Sequence, residues 1–135
     1  MNKPIIIDSS GFISLASITD SNFQKATSFS QSIMEKDKTV IMPGEVFTEI
    51  VNVVGKKIGH DAAIKQAGVI LASETIILAE TTSEIRSNAL AKFTKQPKTV
   101  SFTDCLVMAV ADIFKTKEIF GFDKVFIKNG YLIPH

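Results

Sequence analysis

The chain has 135 residues, of which 45% are hydrophobic and 21% are charged, and the formal net charge is +1. This composition is typical of one globular domain spanning 1–135, and it excludes a disordered chain. One cysteine and two histidines exclude a disulfide framework and argue against a zinc site. No apolar run is long enough for a membrane span or for the core of a signal peptide, which predicts a cytoplasmic protein.

The N-terminal half alternates short apolar runs with helical patterns. The continuous run at 4–7 is typical of a strand that is buried on both faces. Asp20 and Ser21 are candidates to cap a helix, and Pro43 is well placed at a helix start. The predicted elements are a strand at 4–7, a short helix at 11–17, a helix to about 36, a strand at 39–42 and a helix at 45–57.

The C-terminal half continues the alternation. Its predicted elements are a helix from about 60 to 73, a strand at 75–79, a helix from 82–83 that ends before Pro97, an apolar helix at 103–115, a strand at 118–122 and a short strand at 131–133. Strands that alternate with helices predict an α/β fold with a parallel sheet of four to five strands and right-handed crossovers.

Four acidic residues are predicted to meet at one edge of this sheet. Asp8 ends the first strand, and Asp123 follows the fourth. Asp104 lies in the first turn of the apolar helix, and Glu49 lies in the helix after the second strand. In open α/β sheets, functional sites form outside the carboxyl ends of the strands.

Each acid taken singly also has a structural interpretation. Asp8 and Asp123 suit a helix cap or a turn, and Asp104 with Ser101 fits a capping box. Glu49 is harder to explain in this way, because it lies at the edge of the apolar face of its helix. Glu45, four residues earlier, is interpreted mainly as a first-turn acid that the helix dipole favours.

Taken together, the acids indicate a metal site. Clustered carboxylates without a thiol or imidazole partner suit a hard cation such as Mg²⁺ or Mn²⁺. Such a site is typical of phosphoryl transfer, in which a metal-bound water attacks a phosphodiester in line.

The order and spacing of four segments resemble the PIN-domain proteins, above all the toxin ribonucleases of VapBC-type toxin–antitoxin pairs. These segments are 5–10, 43–52, 103–111 and 122–126. Together with the order of the elements, they extend the resemblance over essentially the whole chain. The resemblance implies a three-layer α/β/α sandwich and a Mg²⁺- or Mn²⁺-dependent endoribonuclease that hydrolyses RNA phosphodiester bonds.

Residue by residue, the resemblance assigns the catalytic, metal-binding carboxylates. These are Asp8, Glu49, Asp104 and Asp123. Ser9 matches the small hydroxyl residue that follows the first acid, and Asn52 and Thr103 are expected to support the site.

Two positions depart from the family pattern. Gly121 stands where the family often has Thr or Ser, two residues before the fourth acid, so a supporting hydroxyl is expected to be missing. Cys105 stands where the family often has Ala, and its small, easily buried side chain predicts packing.

The stretch 85–103 is basic and contains no acid. Its cations are Arg86, Lys92, Lys95 and Lys98, and it leads directly to Asp104. Beside a metal site this stretch is predicted to follow an RNA backbone; alone, it suits a solvated helix end. The lysines at 56, 57 and 124 are weaker candidates.

A small antitoxin is the predicted protein partner, and a homodimer is left open. The apolar sides of two short helices, with Phe12, Leu15, Phe47 and Val51, are predicted to form the groove for an antitoxin segment whose cation reaches the acids. The alternatives are a housekeeping RNA-processing nuclease, a receiver-like regulatory domain and a non-catalytic binding domain on the same fold.

Overall fold

The computed structural model describes residues 3–16 and 21–134, and the following helices and strands lie in those ranges. In chain order they are β1 (Ile5–Ile7), α1 (Ser9–Ala16), α2 (Phe23–Glu35), β2 (Val40–Pro43), α3 (Gly44–Lys57), α4 (His60–Ala72), β3 (Ile76–Ala79), α5 (Ser83–Phe93), α6 (Phe102–Ile113), β4 (Ile119–Phe120) and α7 (Lys124–Lys128). None of these helices is long and apolar enough to cross a membrane.

The four strands form one parallel sheet in the order β3-β2-β1-β4. Helices flank this sheet, so the predicted α/β/α sandwich is confirmed. Every residue of β1 is buried, which explains why this strand is a continuous run of isoleucines. Ile7 pairs with Phe120 at the ends of β1 and β4. The residues that follow these two strands, Asp8 and Gly121, are therefore neighbours.

Two helices carry much of the core that holds the site. In α6, all seven residues from Cys105 to Ala111 are buried, because this helix packs directly against β1 and β2. In α3, Val46, Ile50 and Val54 are buried, and they repeat at the spacing of one helix face. Burial of these apolar faces fixes Asp104 and Glu49, which lie on the same two helices.

The largest differences from the sequence predictions lie near the C-terminus. The predicted strand at 131–133 is wrong as a full strand, because only Leu132 forms a parallel bridge, with Glu118. Gly130, at a φ of 89°, turns the chain just before that bridge. The helix α7 was not predicted, since five residues are too few to show a helical period. Helix α5 ends at Phe93, which agrees with the predicted end before Pro97.

The start of the chain also differs in detail. Helix α1 begins at Ser9, two residues before the predicted start, so Asp8 directly precedes it. Residue 17 and the predicted cap Asp20 lie outside the described residues. In the described chain, Asn22 occupies the N-cap position of α2.

Candidate active site

Asp8 is the buried acid of the site. Only 5% of its surface is exposed, and its backbone N–H donates to the Phe120 carbonyl at 3.0 Å. Burial raises the pKa of its carboxyl to about 6, and the negative charge of Asp104 adds to the rise. The predicted helix-capping role coexists with this position, because the Ser10 N–H approaches Asp8 Oδ2 at 3.4 Å.

Ser10 connects Asp8 to the chain beyond β4. Its hydroxyl donates to Asp8 Oδ2 at 2.8 Å and accepts from the Phe122 N–H at 3.0 Å. The bond from Ser10 favours the ionised form of Asp8 and opposes the effect of burial on its pKa. Ser10 was not among the residues predicted for the site. The sequence did contain one indication of its role: a serine lies two residues after an acid at a helix start, where serine side chains often hydrogen-bond to neighbouring groups.

The backbone of Gly121 packs so closely against Asp8 that position 121 has no room for a side chain. A Cβ atom on Gly121 would lie 2.9 Å from the Cβ of Asp8 and 3.2 Å from its Oδ2. A Thr or Ser side chain would therefore displace Asp8. Position 121 carries no hydroxyl, as expected, but the Ser10 hydroxyl donates a hydrogen bond to Asp8.

Gly11 lets α1 approach the sheet. A Cβ atom at this position would lie 2.3 Å from the Phe120 carbonyl oxygen, which real structures do not tolerate. The close approach of α1 to β4 brings Ser9 and Ser10 to the ends of the strands.

Glu49 reaches the site from α3. The Ser9 hydroxyl donates to Glu49 Oε1 at 2.6 Å, across 40 positions of sequence. This contact between Ser9 and Glu49 was not predicted from the sequence. It fixes one carboxylate oxygen of Glu49 and orients the side chain toward α1.

Asp104 serves both as a capping residue and as the central charge of the cluster. Its Oδ2 accepts from the Ser101 N–H at 3.2 Å, and the Ser101 hydroxyl accepts from the Asp104 N–H at 3.1 Å. This reciprocal pair is the predicted capping box. Burial raises the pKa of Asp104, and the charges of Asp123 and Glu49 add to that rise.

Asp123 is the exposed member of the group. It is the N-cap of α7, and its Oδ1 accepts from the Val125 N–H at 3.0 Å. Its negative charge contributes to raising the pKa of Asp104. The predicted turn role of Asp123 is therefore confirmed, and its place in a metal site stays a prediction.

The four carboxylates interact through their charges but do not form a closed cage. In residues 3–16 and 21–134, no three His, Cys, Asp or Glu side chains lie close enough together to hold a metal ion. The two ion pairs of the same ranges, Lys38–Glu118 and Lys92–Asp112, leave all four acids without a basic partner. The chemistry of the four carboxylates suits a hard cation, which would relieve their repulsion; at the observed spacing, some of them would bind it through water.

Two of the three residues that were predicted to support the site, Asn52 and Thr103, line one cavity with Glu49. This cavity has a volume of about 610 Å³, and Asn52, Thr103 and Arg86 lie in its wall with Glu49. Cys105 is fully buried in the core, which confirms its predicted packing role.

The predicted basic stretch is divided by the structure. Lys92 Nζ lies 2.6 Å from Asp112 Oδ2, and it also lies 5.9 Å from the centre of the Tyr131 ring. Lys92 and Lys95 line one cavity together with Lys128, and Arg86 lines a separate one. Lys98 is exposed in the loop between α5 and α6. The four cations therefore do not follow a single groove.

The predicted apolar groove is also divided. Phe12 and Leu15 line a mainly apolar cavity of about 340 Å³, whose wall includes Met34 of α2. Val51 lines a separate cavity beside α4, and Phe47 lies in the wall of neither. All four residues are partly buried against the core.

Comparison with known proteins agrees with this architecture. A family model described as the PIN domain matches residues 5–130. A solved structure of VapC20 from Mycobacterium tuberculosis, a toxin that cleaves the sarcin–ricin loop, is similar with a TM-score of 0.80 and 20% identity. The match covers 95% of this chain and 96% of that one. A search of the curated proteins finds no match.

Proposed function

The chain belongs to the PIN domain family, and on that basis we propose that it is a metal-dependent endoribonuclease of the cytoplasm, acting as the toxin of a toxin–antitoxin pair. The fold similarity to VapC20, a toxin that cleaves the sarcin–ricin loop, supports the RNA substrate and the toxin role.

One observation carries the proposal. Asp8 is 5% exposed and faces the charge of Asp104, yet neither ion pair of the described residues includes it. Burying an unpaired carboxylate costs free energy on folding. Groups that are buried in this way cluster at functional sites. The missing positive charge is one that a divalent cation would supply.

Asp8 and Asp104 are the proposed direct ligands of Mg²⁺ or Mn²⁺, and Glu49 and Asp123 act directly or through bound water. When bound, the cation would activate water and neutralise charge on the phosphate. The geometry assigns distinct tasks to the neighbours of these acids. Ser10 holds Asp8 Oδ2, Ser9 holds Glu49 Oε1, and Ser101 holds Asp104 Oδ2. These bonds keep the carboxylates in place before substrate arrives.

The phosphates of RNA are proposed to contact the exposed cations that have no ion-pair partner in the described part of the chain, although these cations do not line a single groove. Arg86, Lys95 and Lys98 are exposed and have no ion-pair partner in the described residues. These side chains can therefore bind RNA phosphates, and the counterions that surround the RNA are then released. Lys92 was predicted with them, but its bond to Asp112 reduces its availability.

The proposed antitoxin would block this surface. The cavity that Phe12 and Leu15 line is mainly apolar and suits the anchor of a bound peptide segment. A cation of that segment would reach the uncompensated carboxylates and compete with the metal.

The experiment is expression of the chain in cells, alone or with the small protein encoded beside it. Expression alone is expected to arrest growth and fragment cellular RNA, whereas Asp8→Asn and Asp104→Asn are expected to do neither. Asp61→Asn, at an exposed position of α4, is the matched control and is expected to behave as wild type. Harmless expression of a chain that cuts RNA in vitro would support a housekeeping nuclease instead.

A further inference from the structure

The cavity beside Glu49 is large enough for a ligand of its own. Its volume of about 610 Å³ falls within the range of small-molecule sites, roughly 300–1,000 Å³. It is lined by side chains from α3 and α5 and reaches Thr103, the residue before Asp104. A group held there would lie next to the phosphate that the four acids act on.

Two cations from different helices line this cavity. Lys56 comes from α3 and Arg86 from α5, and both side chains are exposed. Neither takes part in an ion pair of the described residues, although three glutamates line the same cavity. Unpaired cations on facing elements suit the phosphates of a nucleotide chain.

Glu45 gives the cavity a fixed acceptor that the four-acid site does not use. Thr81 lies in the loop that joins β3 to α5, and its hydroxyl donates a hydrogen bond to Glu45 Oε1. This bond holds a partly buried carboxylate in the cavity wall, where a first-turn acid would otherwise point freely into solvent. From the sequence, Glu45 was interpreted mainly as a first-turn acid that the helix dipole favours, and Thr81 was given no role.

The charge of the wall selects the kind of group that fits. Glu45, Glu49 and Glu80 outnumber the two cations, so the interior disfavours a free anion. A carboxylate accepts hydrogen bonds and repels carbonyl oxygens. Guanine presents two adjacent N–H donors on its Watson–Crick edge, whereas uracil presents one N–H between two carbonyl oxygens. In single-stranded RNA these edges are accessible.

We propose that this cavity binds one nucleotide of single-stranded RNA beside the cleaved bond, with Arg86 and Lys56 on its backbone and Glu45 on its base, so that guanine is favoured over uracil. This assignment rests on the proposed ribonuclease function. On this assignment, the RNA lies between α3 and α5, and the loop around Lys98 contributes less to its binding.

Binding tests the backbone contacts. The probe is a fluorescein-labelled RNA of mixed sequence and about 12 nucleotides, titrated in EDTA with anisotropy as the readout. Arg86→Gln and Lys56→Gln are each expected to raise Kd about tenfold and to flatten the salt dependence by roughly 0.7 in log–log slope. Lys65→Gln on α4 is the control for charge alone and is expected to leave both unchanged. Binding by all three variants that matches wild type would overturn the backbone assignment.

Cleavage products test the base contact. Sequencing the cut ends of a mixed RNA pool is expected to show guanine enriched at one fixed position beside the cut. Glu45→Gln and Thr81→Val are both expected to abolish that enrichment, while Glu35→Gln on α2 keeps it. Wild-type enrichment that survives in Glu45→Gln and Thr81→Val, both confirmed as folded, would overturn the base assignment.

These results separate the inference from the function on which it rests. If the wild type cleaves RNA but substitutions of Arg86, Lys56 and Glu45 change neither RNA binding nor the cleavage position, the cavity assignment alone is overturned. Wild type that neither binds nor cleaves the RNA pool with Mg²⁺ or Mn²⁺ overturns the proposed function itself.

Discussion

The Ser10 hydroxyl lies 2.8 Å from Asp8 Oδ2 and at the same time accepts the Phe122 N–H. One side chain thus ties the buried acid at the end of β1 to the backbone beyond β4. Ser10→Ala is expected to raise the pKa of Asp8 further and to leave the Phe122 N–H without this acceptor. The expected loss of unfolding free energy is about 1–3 kcal/mol.

Urea unfolding measures this loss, with Ser28→Ala on the exposed side of α2 as the control. If Ser10→Ala were as stable as the control, the bond from Ser10 would not support the site.

The raised pKa of Asp8 predicts a specific pH dependence of stability. The carboxyl titrates near 3.8 when unfolded and near 6 in the folded chain. Folding therefore favours the protonated form, and this contribution is present below about pH 3.8 and is lost as pH rises through 6. In EDTA, the advantage of Asp8→Asn over wild type should grow between pH 4 and 7, by at most about 3 kcal/mol.

Chemical unfolding at several pH values provides the measurement, and the difference between the two proteins removes the titrations that they share. A difference that stays constant from pH 4 to pH 7 would contradict the raised pKa of Asp8.

Gly121 is expected to be required for the position of Asp8. Gly121→Ala places a Cβ within 2.9 Å of the Asp8 Cβ, so Asp8 or its backbone must shift. We expect a loss of about 1–3 kcal/mol in stability. We also expect Mn²⁺ to raise the melting temperature less than it does in wild type, because binding stabilises only a chain that can bind.

The matched control is Gly68→Ala on α4, where an added Cβ meets nothing within 4 Å. Alanine is there expected to stabilise the helix by about 0.5–1 kcal/mol. Equal behaviour of the two variants would show that the contact at Gly121 has no consequence.

Lys92 is expected to support the fold more than RNA binding. Lys92→Gln removes the ion pair with Asp112, whose Oδ1 also accepts from the Tyr131 hydroxyl at 2.7 Å. Stability should fall by about 1 kcal/mol while the RNA Kd changes less than twofold. Thermal unfolding and anisotropy give the two numbers. A large rise in Kd without a loss of stability would return Lys92 to the RNA-binding surface.

The parts of the fold that were predictable are those in which burial imposes a local pattern. The isoleucines of β1 are buried on both faces, and the buried positions of α3 repeat at helical spacing. Helix α7 and the single bridge at Leu132 lack such a pattern, because they are too short to show a period. Their conformations depend on contacts with the rest of the chain.

The positions of the acids in the fold and the local capping box of Ser101 and Asp104 were predictable, but the long-range bonds around the candidate site were not. Asp8, Asp104 and Asp123 sit at the ends of elements, which chain order indicates. Ser9 meets Glu49 across 40 residues, and Thr81 meets Glu45 across 36. Contacts at such separations arise from the packing of α1, α3 and the loop after β3, and they leave no local pattern in the sequence.

The central claim is that the four carboxylates hold a divalent cation with which the chain cleaves RNA. The most direct measurement is the cleavage rate of purified wild type on single-stranded RNA, titrated with Mg²⁺ and with Mn²⁺ from a metal-free start. We expect saturable activation, no cleavage in EDTA, and a loss of at least about 100-fold in Asp8→Asn and Asp104→Asn but not in Asp61→Asn. Cleavage that persists in EDTA, or full activity of Asp8→Asn or Asp104→Asn at saturating metal, would contradict this claim.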